Sequence, residues 1–285
     1  MVIVKLLGGL GNQMFQYAFG RRTALCNGVP LKLDISGFAN YPKRNYELAQ
    51  FAISAEMATQ DEVRRHLGRP GIRGAISRFV GKKPLVVHEQ FFHVDESLLS
   101  LGDNVYLDGY WQSEKYFLDV QDVIRTEFTL KTPYSGQTTQ LADLIAKTNA
   151  VSLHVRRGDY VAERDVNAIH GTCSLAYYRD AIRLIEERVA NPHFFIFSDD
   201  LDWTRNNLQL AHSMTLVEFD VPESAAVEMQ LMSLCRHHII ANSTFSWWGA
   251  WLNRSQHKIV VAPRQWFQDA SRDVRDLYPD NWIVL

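Results

Sequence analysis

The sequence predicts an α/β protein with a doubly wound parallel sheet, and three observations support this prediction. The chain has 285 residues, which is long for one compact core and natural for two domains. Its content of 46% hydrophobic and 22% charged residues is typical of an ordinary globular protein. Apolar segments of strand length alternate with amphipathic segments of helix length, which is the pattern of parallel sheets.

The chain begins with a predicted strand, a glycine-rich loop and a helix. The segment "VIVKLL" is apolar enough to be a buried strand, and "GGLGNQ" follows it as the loop. Apolar side chains then recur at helical spacing as far as Leu25, and Gly28 is a typical helix stop. The segment "PLKLDIS" is predicted to be the second strand.

The second half alternates strands and helices more regularly. The predicted strands are "AVSLHV", "HFFIFSDD", "HHIIANST" and "HKIVVAP". The predicted helices are "SLAYYRDAIRLIEERVAN", with Ser174 as its N-cap, "ESAAVEMQLMSLC" and the short aromatic "FSWWGAWLN". The polar stretch "LKTPYSGQTT" at 130–139 is the predicted boundary between the halves.

Charge and cysteine content exclude several classes of protein. The net charge of −2 argues against a nucleic-acid binder, which is normally basic. Cys26, Cys173 and Cys235 are widely spaced and odd in number, so neither a disulfide framework nor a thiolate zinc site is predicted. No apolar run is long enough for a transmembrane segment, and the N-terminus lacks the basic start of a signal peptide. We therefore expect a cytoplasmic protein.

Residues 64–84 form a basic stretch with seven arginines and lysines and no acidic residue. A solvated surface insert is the simpler interpretation of this stretch. The alternative is a weak docking face for anionic lipid headgroups or a phosphate-bearing acceptor, which would bring the protein into peripheral contact with a membrane.

Three polar clusters follow predicted strands of the second half. They span residues 154–159, 198–200 and 242–246. Ligands of open α/β sheets bind beyond the carboxyl ends of the strands, and in a parallel sheet these ends share one edge. We therefore expect the three clusters to converge on one binding site.

Each cluster suits one part of a nucleotide. Arg156 can clamp a phosphate with two hydrogen bonds, whereas Arg157 points the other way because strand residues alternate. The third cluster opens a helix whose free N–H groups favour an anion, and a carboxylate of the second can accept from a purine or a ribose. We predict a bound diphosphate held mainly by Arg156. The candidate nucleotide-binding residues are His154, Arg156, Asp199, Asp200, Asn242, Ser243, Thr244, Phe245 and Ser246.

Several of these residues also have structural interpretations. An arginine at a strand end is commonly a surface ion-pair residue, and Asp199 or Asp200 could cap the following helix. Asp200 and Asp202 have the D-x-D spacing of metal-dependent sugar transferases, but a position on the helix after the strand argues against metal binding by this pair.

The glycine loop and two aromatic stretches complete the candidate residues. The loop fails the dinucleotide fingerprint because Met14 occupies the third glycine position, but Gly9, Gly11 and Asn12 still permit close approach of a ligand. The aromatic stretch "STFSWWGAW" is expected to be mainly core. In "DGYWQSEKYF", an exposed Tyr110 or Trp111 could stack on a sugar ring.

Five motifs occur in order across nearly the whole chain: "GGLGNQMFQYA", "DGYWQSEKYF", "HVRRGDYV", "FSDD" and "NSTFSWWGAWL". In this set and order the sequence resembles the bacterial α-1,2-fucosyltransferases of glycosyltransferase family 11. The resemblance implies a GT-B-like fold of two Rossmann-like domains facing each other across a cleft. It implies an acceptor-binding domain at 1–132, a GDP-fucose-binding domain at 133–262, and a segment at 263–285 that crosses back to the first domain.

The resemblance also implies a reaction and a set of roles. The reaction would be an inverting, metal-independent transfer of fucose from GDP-β-L-fucose to the 2-hydroxyl of a terminal galactose in an oligosaccharide. Arg156 would contact the donor diphosphate, and the residues of "SDD" and "NSTFS" would contact guanosine and phosphate. Asp159 and Glu163 are the candidate general bases, although Asp159 could instead brace an arginine, and Asn12 could orient the acceptor hydroxyl.

Other functions remain open at this stage. The same fold could form another linkage or use another acceptor sugar. A non-catalytic nucleotide-binding protein would keep Arg156 and the hydroxyl cluster without needing an acceptor site.

Overall fold

The computed structural model describes residues 1–40, 44–68, 84–162, 164–208, 210–220 and 223–285. The candidate base Glu163 lies outside these described residues, as do the side chain of Asp159 and most of the basic stretch at 64–84. The chain forms two compact units. The first is Met1–Lys131 with Arg275–Leu277, and the second is Thr132–Val274 with Tyr278–Leu285.

The first unit is built on a five-stranded parallel sheet with the order β3-β2-β1-β5-β4. Its strands are β1 (Val2–Lys5), β2 (Leu31–Asp34), β3 (Glu56–Met57), β4 (Leu85–His88) and β5 (Val105–Asp108). Its helices are α1 (Leu10–Asn27), α2 (Gln60–Leu67) and α3 (Gln121–Glu127).

Helix α1 ends where the sequence predicts. Gly28 adopts the left-handed conformation at φ 61°, and its N–H closes the last turn on Ala24 and Leu25. The helix is buried on several faces, including the amides of Gln13 and Gln16. Gln13 donates to the carbonyls of Gly8 and Asn45, so this burial is compatible with its polarity.

The second unit contains a six-stranded parallel sheet with the order β11-β10-β9-β6-β7-β8. Its strands are β6 (Asn149–Val155), β7 (Pro192–Ser198), β8 (Met214–Leu216), β9 (His237–Ile239), β10 (Val260–Ala262) and β11 (Ile283–Val284). Its helices are α4 (Gly136–Ala146), α5 (Gly158–Ala162), α6 (Arg164–His170), α7 (Leu175–Glu186), α8 (Leu201–Asn207), α9 (Ala225–Leu234) and α10 (Thr244–Leu252).

Strand β6 separates two hydrophobic cores. Val151, Leu153 and Val155 point to one face and pack with α7. Ala150 points to the other face, where Leu231 of α9 lies. This alternation follows from the two-residue period of a strand, and it places the side chain of His154 on the α9 side.

The order of the strands creates a switch point between β6 and β9. The chain leaves β6 towards β7 on one side, whereas it leaves β9 towards β10 on the other. The connections therefore diverge from neighbouring strands and open a crevice at their carboxyl ends, where α/β sheets bind ligands. Two of the three predicted polar clusters follow these two strands.

The fold-class prediction of two Rossmann-like α/β domains is confirmed. Of the segment 263–285, Arg275–Leu277 group with the first unit, while β11 pairs with β10 in the second. The tryptophans Trp247, Trp248 and Trp251 are core residues as expected. Within the described part of the chain, no helix is both long and apolar enough to cross a membrane.

Candidate active site

Strand register brings two predicted clusters together. Val155 of β6 pairs with Ser198 of β7, so the residues that follow the two strands are neighbours. The Nη1 of Arg156 lies 2.9 Å from Oδ2 of Asp199, and the Nε of Arg157 lies 3.2 Å from Oδ2 of Asp200. The backbone N–H of Arg157 also donates to Asp199 at 2.8 Å. Two parallel ion pairs therefore close the end of β6 onto β7.

Arg156 is the better placed of the two arginines for a phosphate. Its guanidinium lies 5.3 Å from the ring centroid of Tyr160 in α5, the short helix that follows β6. The bond to Asp199 fixes one edge of the guanidinium fork and leaves a fifth of the side chain exposed. An arginine held in this way suits bidentate binding of an anion.

Helix α10 starts at the other side of the switch point, with Ser243 at its N-cap. The side chain of Ser243 makes no capping bond, so it does not satisfy the N–H groups of the first turn. The ring of Phe245 in that turn lies 5.6 Å from the ring of His154. This start of a nine-residue helix offers partial positive charge to an anion.

His154 lies buried beside this helix start and is held neutral. Burial is the main cause, and with the nearby positive charge of Arg156 it lowers the pKa of His154 to about 3, against the opposing influence of Asp199. Nδ1 of His154 is buried without a hydrogen-bond partner among the described residues. A neutral imidazole with an unused nitrogen is suited to a polar ligand at this point.

Three of the predicted nucleotide-binding side chains also have structural roles in the fold. The amide of Asn242 is nearly fully buried and donates to the carbonyls of His170 and Gly171. The hydroxyl of Ser246 bonds back to the main chain at Ala241 and Ser243. Asp200 caps α8 by accepting from the N–H of Trp203 at 3.1 Å, besides its ion pair with Arg157. The polar atoms of these side chains are engaged within the fold, so their contacts with a nucleotide stay a prediction.

The D-x-D pair does not converge on a common point. Asp202 lies on the exposed side of α8, where it pairs with Arg205, while Asp200 faces the end of β6. No group of three potential metal ligands occurs among the residues that the structure describes.

Sequence reasoning missed Glu228, which lies on α9. Burial raises the pKa of Glu228 to about 7, with further contributions from the charges of Glu223 and Asp199. A half-buried carboxyl group that senses Asp199 lies at the same edge of the sheet as the arginine pairs. No local motif marks it in the sequence, because its position depends on how α9 packs.

The glycine loop of the first unit forms a separate cluster of candidate residues. Gly8 adopts a positive φ of 78°. Gly9 is the N-cap residue of α1 and, as a glycine, has no side chain that could cap the helix. Gln112 donates to Oδ1 of Asn12 at 3.0 Å, so the first turn of α1 is tied to the predicted sugar-binding stretch. This bond fixes the carboxamide of Asn12 with its oxygen towards Gln112.

The two aromatic candidates of "DGYWQSEKYF", Tyr110 and Trp111, differ in their exposure to solvent. Trp111 is completely buried and packs on Phe19 and Tyr116, so it is not the exposed ring that stacking on a sugar requires. Its positive φ of 57° turns the ring into the core. Tyr110 remains 39% exposed, and Glu89 holds its loop by accepting from the N–H groups of Tyr110 and Trp111.

Comparison with known proteins shows which chains this one is similar to. The family profile "Glycosyl transferase family 11" matches residues 87–285. An alpha-1,2-colitosyltransferase of Escherichia coli is 36% identical over 100% of this chain and 99% of its own length. The O-antigen biosynthesis glycosyltransferase WbnK of Escherichia coli is 32% identical over 98% and 99% of the two chains.

More distant similarities extend this result. Galactoside alpha-(1,2)-fucosyltransferase 1 of Leontocebus fuscicollis is 26% identical over 86% of this chain and 63% of its own. The crystal structure of fucosyltransferase NodZ from Bradyrhizobium matches with a TM-score of 0.50 and 17% identity, covering 87% of this chain and 91% of NodZ.

Proposed function

Because the chain belongs to glycosyltransferase family 11, we propose that it transfers L-fucose from GDP-β-L-fucose to the 2-hydroxyl of a terminal galactose in an oligosaccharide. The observation that carries the proposal is the pairing of Arg156 with Asp199 opposite the start of α10 at the switch point. Two of the relatives, whose names specify a 1,2 linkage, support the choice of position.

The donor is proposed to lie along the ends of β6 and β9. Arg156 and the N–H groups of α10 would share the negative charge of the diphosphate. Asp199 is engaged by Arg156, so Glu228 is the carboxyl group better placed to accept from the amino and imino groups of guanine. His154 and Phe245 would contact the nucleoside from the buried side.

The proposed reaction is a single inverting displacement. The acceptor O2 attacks C1 of fucose as the bond from C1 to the diphosphate oxygen breaks, and GDP leaves with the electron pair. The proton of the 2-hydroxyl passes to a carboxylate, for which Asp159 and Glu163 are the candidates, and Asn12 orients the hydroxyl. We propose that Arg156 and the start of α10 stabilise the departing GDP without a metal ion.

A second candidate donor is GDP-colitose. The observation that favours it is the relative at 36% identity, whose name specifies colitosyl transfer. Colitose differs from fucose by lacking the 3-hydroxyl. Enzymes that hydrogen-bond a substrate hydroxyl discriminate strongly against an analogue without it, so the ratio of kcat/KM for the two donors identifies the natural class.

The experiment measures GDP release from each donor with and without N-acetyllactosamine, in buffer and in EDTA, and determines the product linkage by NMR. We expect release from GDP-fucose that depends on the acceptor, persists in EDTA and yields an α1-2 linkage to galactose. Loss of activity in EDTA would contradict the proposed metal independence but not the proposed transfer reaction. Preference for GDP-colitose would replace the donor and leave the reaction class intact. No transfer from either donor to a panel of galactosides would overturn the proposal.

A further inference from the structure

A pocket of about 620 Å³ lies within the second unit, beside α7. One wall is the segment from His170 to Tyr177, and the other is the segment from Pro263 to Arg272 that follows β10. Its volume lies in the range of pockets that bind small ligands. Neither the proposed donor-binding residues nor the proposed base contribute to its lining.

Internal hydrogen bonds hold the two walls together. Asn242 donates to the carbonyl of His170 at 2.9 Å in one wall and to that of Trp266 at 3.4 Å in the other. The N–H of Gln268 also donates to the carbonyl of Ile169 at 2.9 Å. The pocket is therefore formed before any ligand arrives, which lowers the entropic cost of binding.

A row of aromatic contacts links this pocket to the proposed donor anchor. Arg156 lies 5.3 Å from the ring of Tyr160, and that ring stacks on His170 at 4.9 Å. His170 lines the pocket and lies 5.5 Å from the ring of Phe267, which lines it too. These successive contacts connect the guanidinium of Arg156 to the far wall of the pocket.

The lining combines apolar surface with groups that both donate and accept hydrogen bonds. Tyr177, Trp266 and Phe267 supply the apolar part, while Thr172, Gln265 and Gln268 supply hydroxyl and amide groups. Sugar rings have apolar C–H faces and hydroxyl edges that need both donors and acceptors, so this mixture matches them. A lipid chain would offer no hydrogen bonds to the hydroxyl and amide groups of the lining.

The charges of the lining favour a neutral ligand. Arg264 and Arg272 are opposed by Asp180 and Asp269, and Arg272 lies 4.0 Å from Asp269. Arg264 is an exposed residue of the lining, so its guanidinium fork can donate to vicinal hydroxyls. A nucleoside diphosphate would need a stronger excess of positive charge.

We propose that this pocket binds the sugars of the acceptor on the reducing side of the galactose that receives the transferred residue. The inference rests on the proposed function, since it assigns the pocket to the acceptor of that reaction. It defines the acceptor class as an oligosaccharide recognised over more than its terminal residue.

The test fills the pocket without removing a bond that holds its walls. Ala270 is exposed and lines the pocket, and Ala270→Trp places an indole there. Ala211→Trp is the matched control, because Ala211 is an exposed alanine of the same unit that does not line the pocket. Arg264→Ala is a second variant that removes a polar group from the lining.

Acceptor KM is measured with methyl β-D-galactoside, N-acetyllactosamine and lacto-N-neotetraose at saturating donor. In the wild type we expect KM to fall at least about tenfold from the monosaccharide to the tetrasaccharide, the size of about 1.4 kcal/mol of added binding. Ala270→Trp should abolish this gain, and Arg264→Ala should reduce it. Kinetics with methyl β-D-galactoside and the donor KM should stay within about twofold of wild type, and Ala211→Trp should behave as wild type.

Two results would overturn the inference while leaving the proposed function intact. One is transfer with no dependence of KM on acceptor length, and the other is equal dependence in Ala270→Trp and wild type. If no transfer occurs, binding of lacto-N-neotetraose is followed by saturation-transfer NMR, which needs no turnover. Contacts seen in the wild type and lost in Ala270→Trp support the subsite even then, whereas equal contacts or none overturn it.

Discussion

Two adjacent ion pairs at the ends of β6 and β7 use the same residue types in different surroundings. Arg156 with Asp199 and Arg157 with Asp200 have similar exposure, so burial does not distinguish them. Arg157 lies 4.1 Å above the ring of Trp203 in α8, and its partner Asp200 caps that helix. The second pair therefore fastens α8 to the end of β6.

The first pair faces titratable groups rather than a helix that needs a cap. Positive charge at Arg156 helps to keep His154 neutral by lowering its pKa, and Asp199 helps to raise the pKa of Glu228. Groups with shifted pKa values cluster at functional sites, so the surroundings of the first pair agree with its proposed role at the diphosphate. The role of an arginine at a strand end therefore depends on the other contacts that its carboxylate partner makes.

The largest expected effect comes from removing the guanidinium of the first pair. In Arg156→Ala, the charge that develops on the leaving GDP loses its main donor, which is worth about 3 kcal/mol in the barrier. We expect kcat to fall at least about a hundredfold, measured by GDP release at saturating donor and acceptor. Arg156→Lys should also fail, because lysine lacks the bidentate fork.

The thermal unfolding of Arg156→Ala is the control for this experiment. We expect its melting temperature to stay within a few degrees of wild type, because Asp199 still accepts from the N–H of Arg157. Near-normal turnover in a folded Arg156→Ala protein would show that Arg156 does not stabilise the leaving GDP, which would contradict the proposed site.

The next effect concerns the partner carboxylate. Asp199→Asn keeps an oxygen for the N–H of Arg157 but loses the charge that orients Arg156. We expect kcat/KM for the donor to fall about tenfold, which corresponds to about 1.4 kcal/mol. Asp200→Asn is the matched control, since asparagine also caps helices well, and it should change kcat/KM by less than about twofold. Equal losses in both variants would contradict the division of roles.

A smaller effect is expected in the pH dependence of donor binding. Because the pKa of Glu228 is raised to about 7, its carboxylate form is lost as the pH falls from about 8 to about 6. If the ionised form accepts from guanine, kcat/KM for the donor should fall about fivefold to tenfold over this range. Glu228→Gln should have a lower and flat profile. A profile that is unchanged by the substitution would exclude Glu228 from donor binding.

Much of this site could be predicted from the sequence because parallel sheets gather their carboxyl ends. The alternation of strands and helices predicted that the residues after "AVSLHV" and "HFFIFS" would meet, and the register of Val155 with Ser198 confirms it. Periodicity along β6 likewise predicted that Arg156 and Arg157 would have different environments.

The remaining features depend on tertiary packing that no local pattern encodes. Asn242 belongs to a motif that opens a helix, yet its amide is used to join two loops distant in sequence. Trp111 has a positive φ, a conformation that glycine and asparagine adopt more readily than tryptophan. The residue type at this position therefore gives no sign of the conformation in the sequence. Glu228 acquires its raised pKa only because α9 packs beside the end of β7.

The smallest effect on catalysis is expected at the second pair. Arg157→Ala removes one ion pair and the contact with the ring of Trp203, but it leaves the backbone N–H that Asp199 accepts. We expect the free energy of unfolding to fall by about 1 kcal/mol in urea denaturation, with kcat within about twofold of wild type. If instead Arg157→Ala lost activity about a hundredfold at unchanged stability, both arginines would serve the diphosphate. The structural difference between the two pairs would then not be a difference in function.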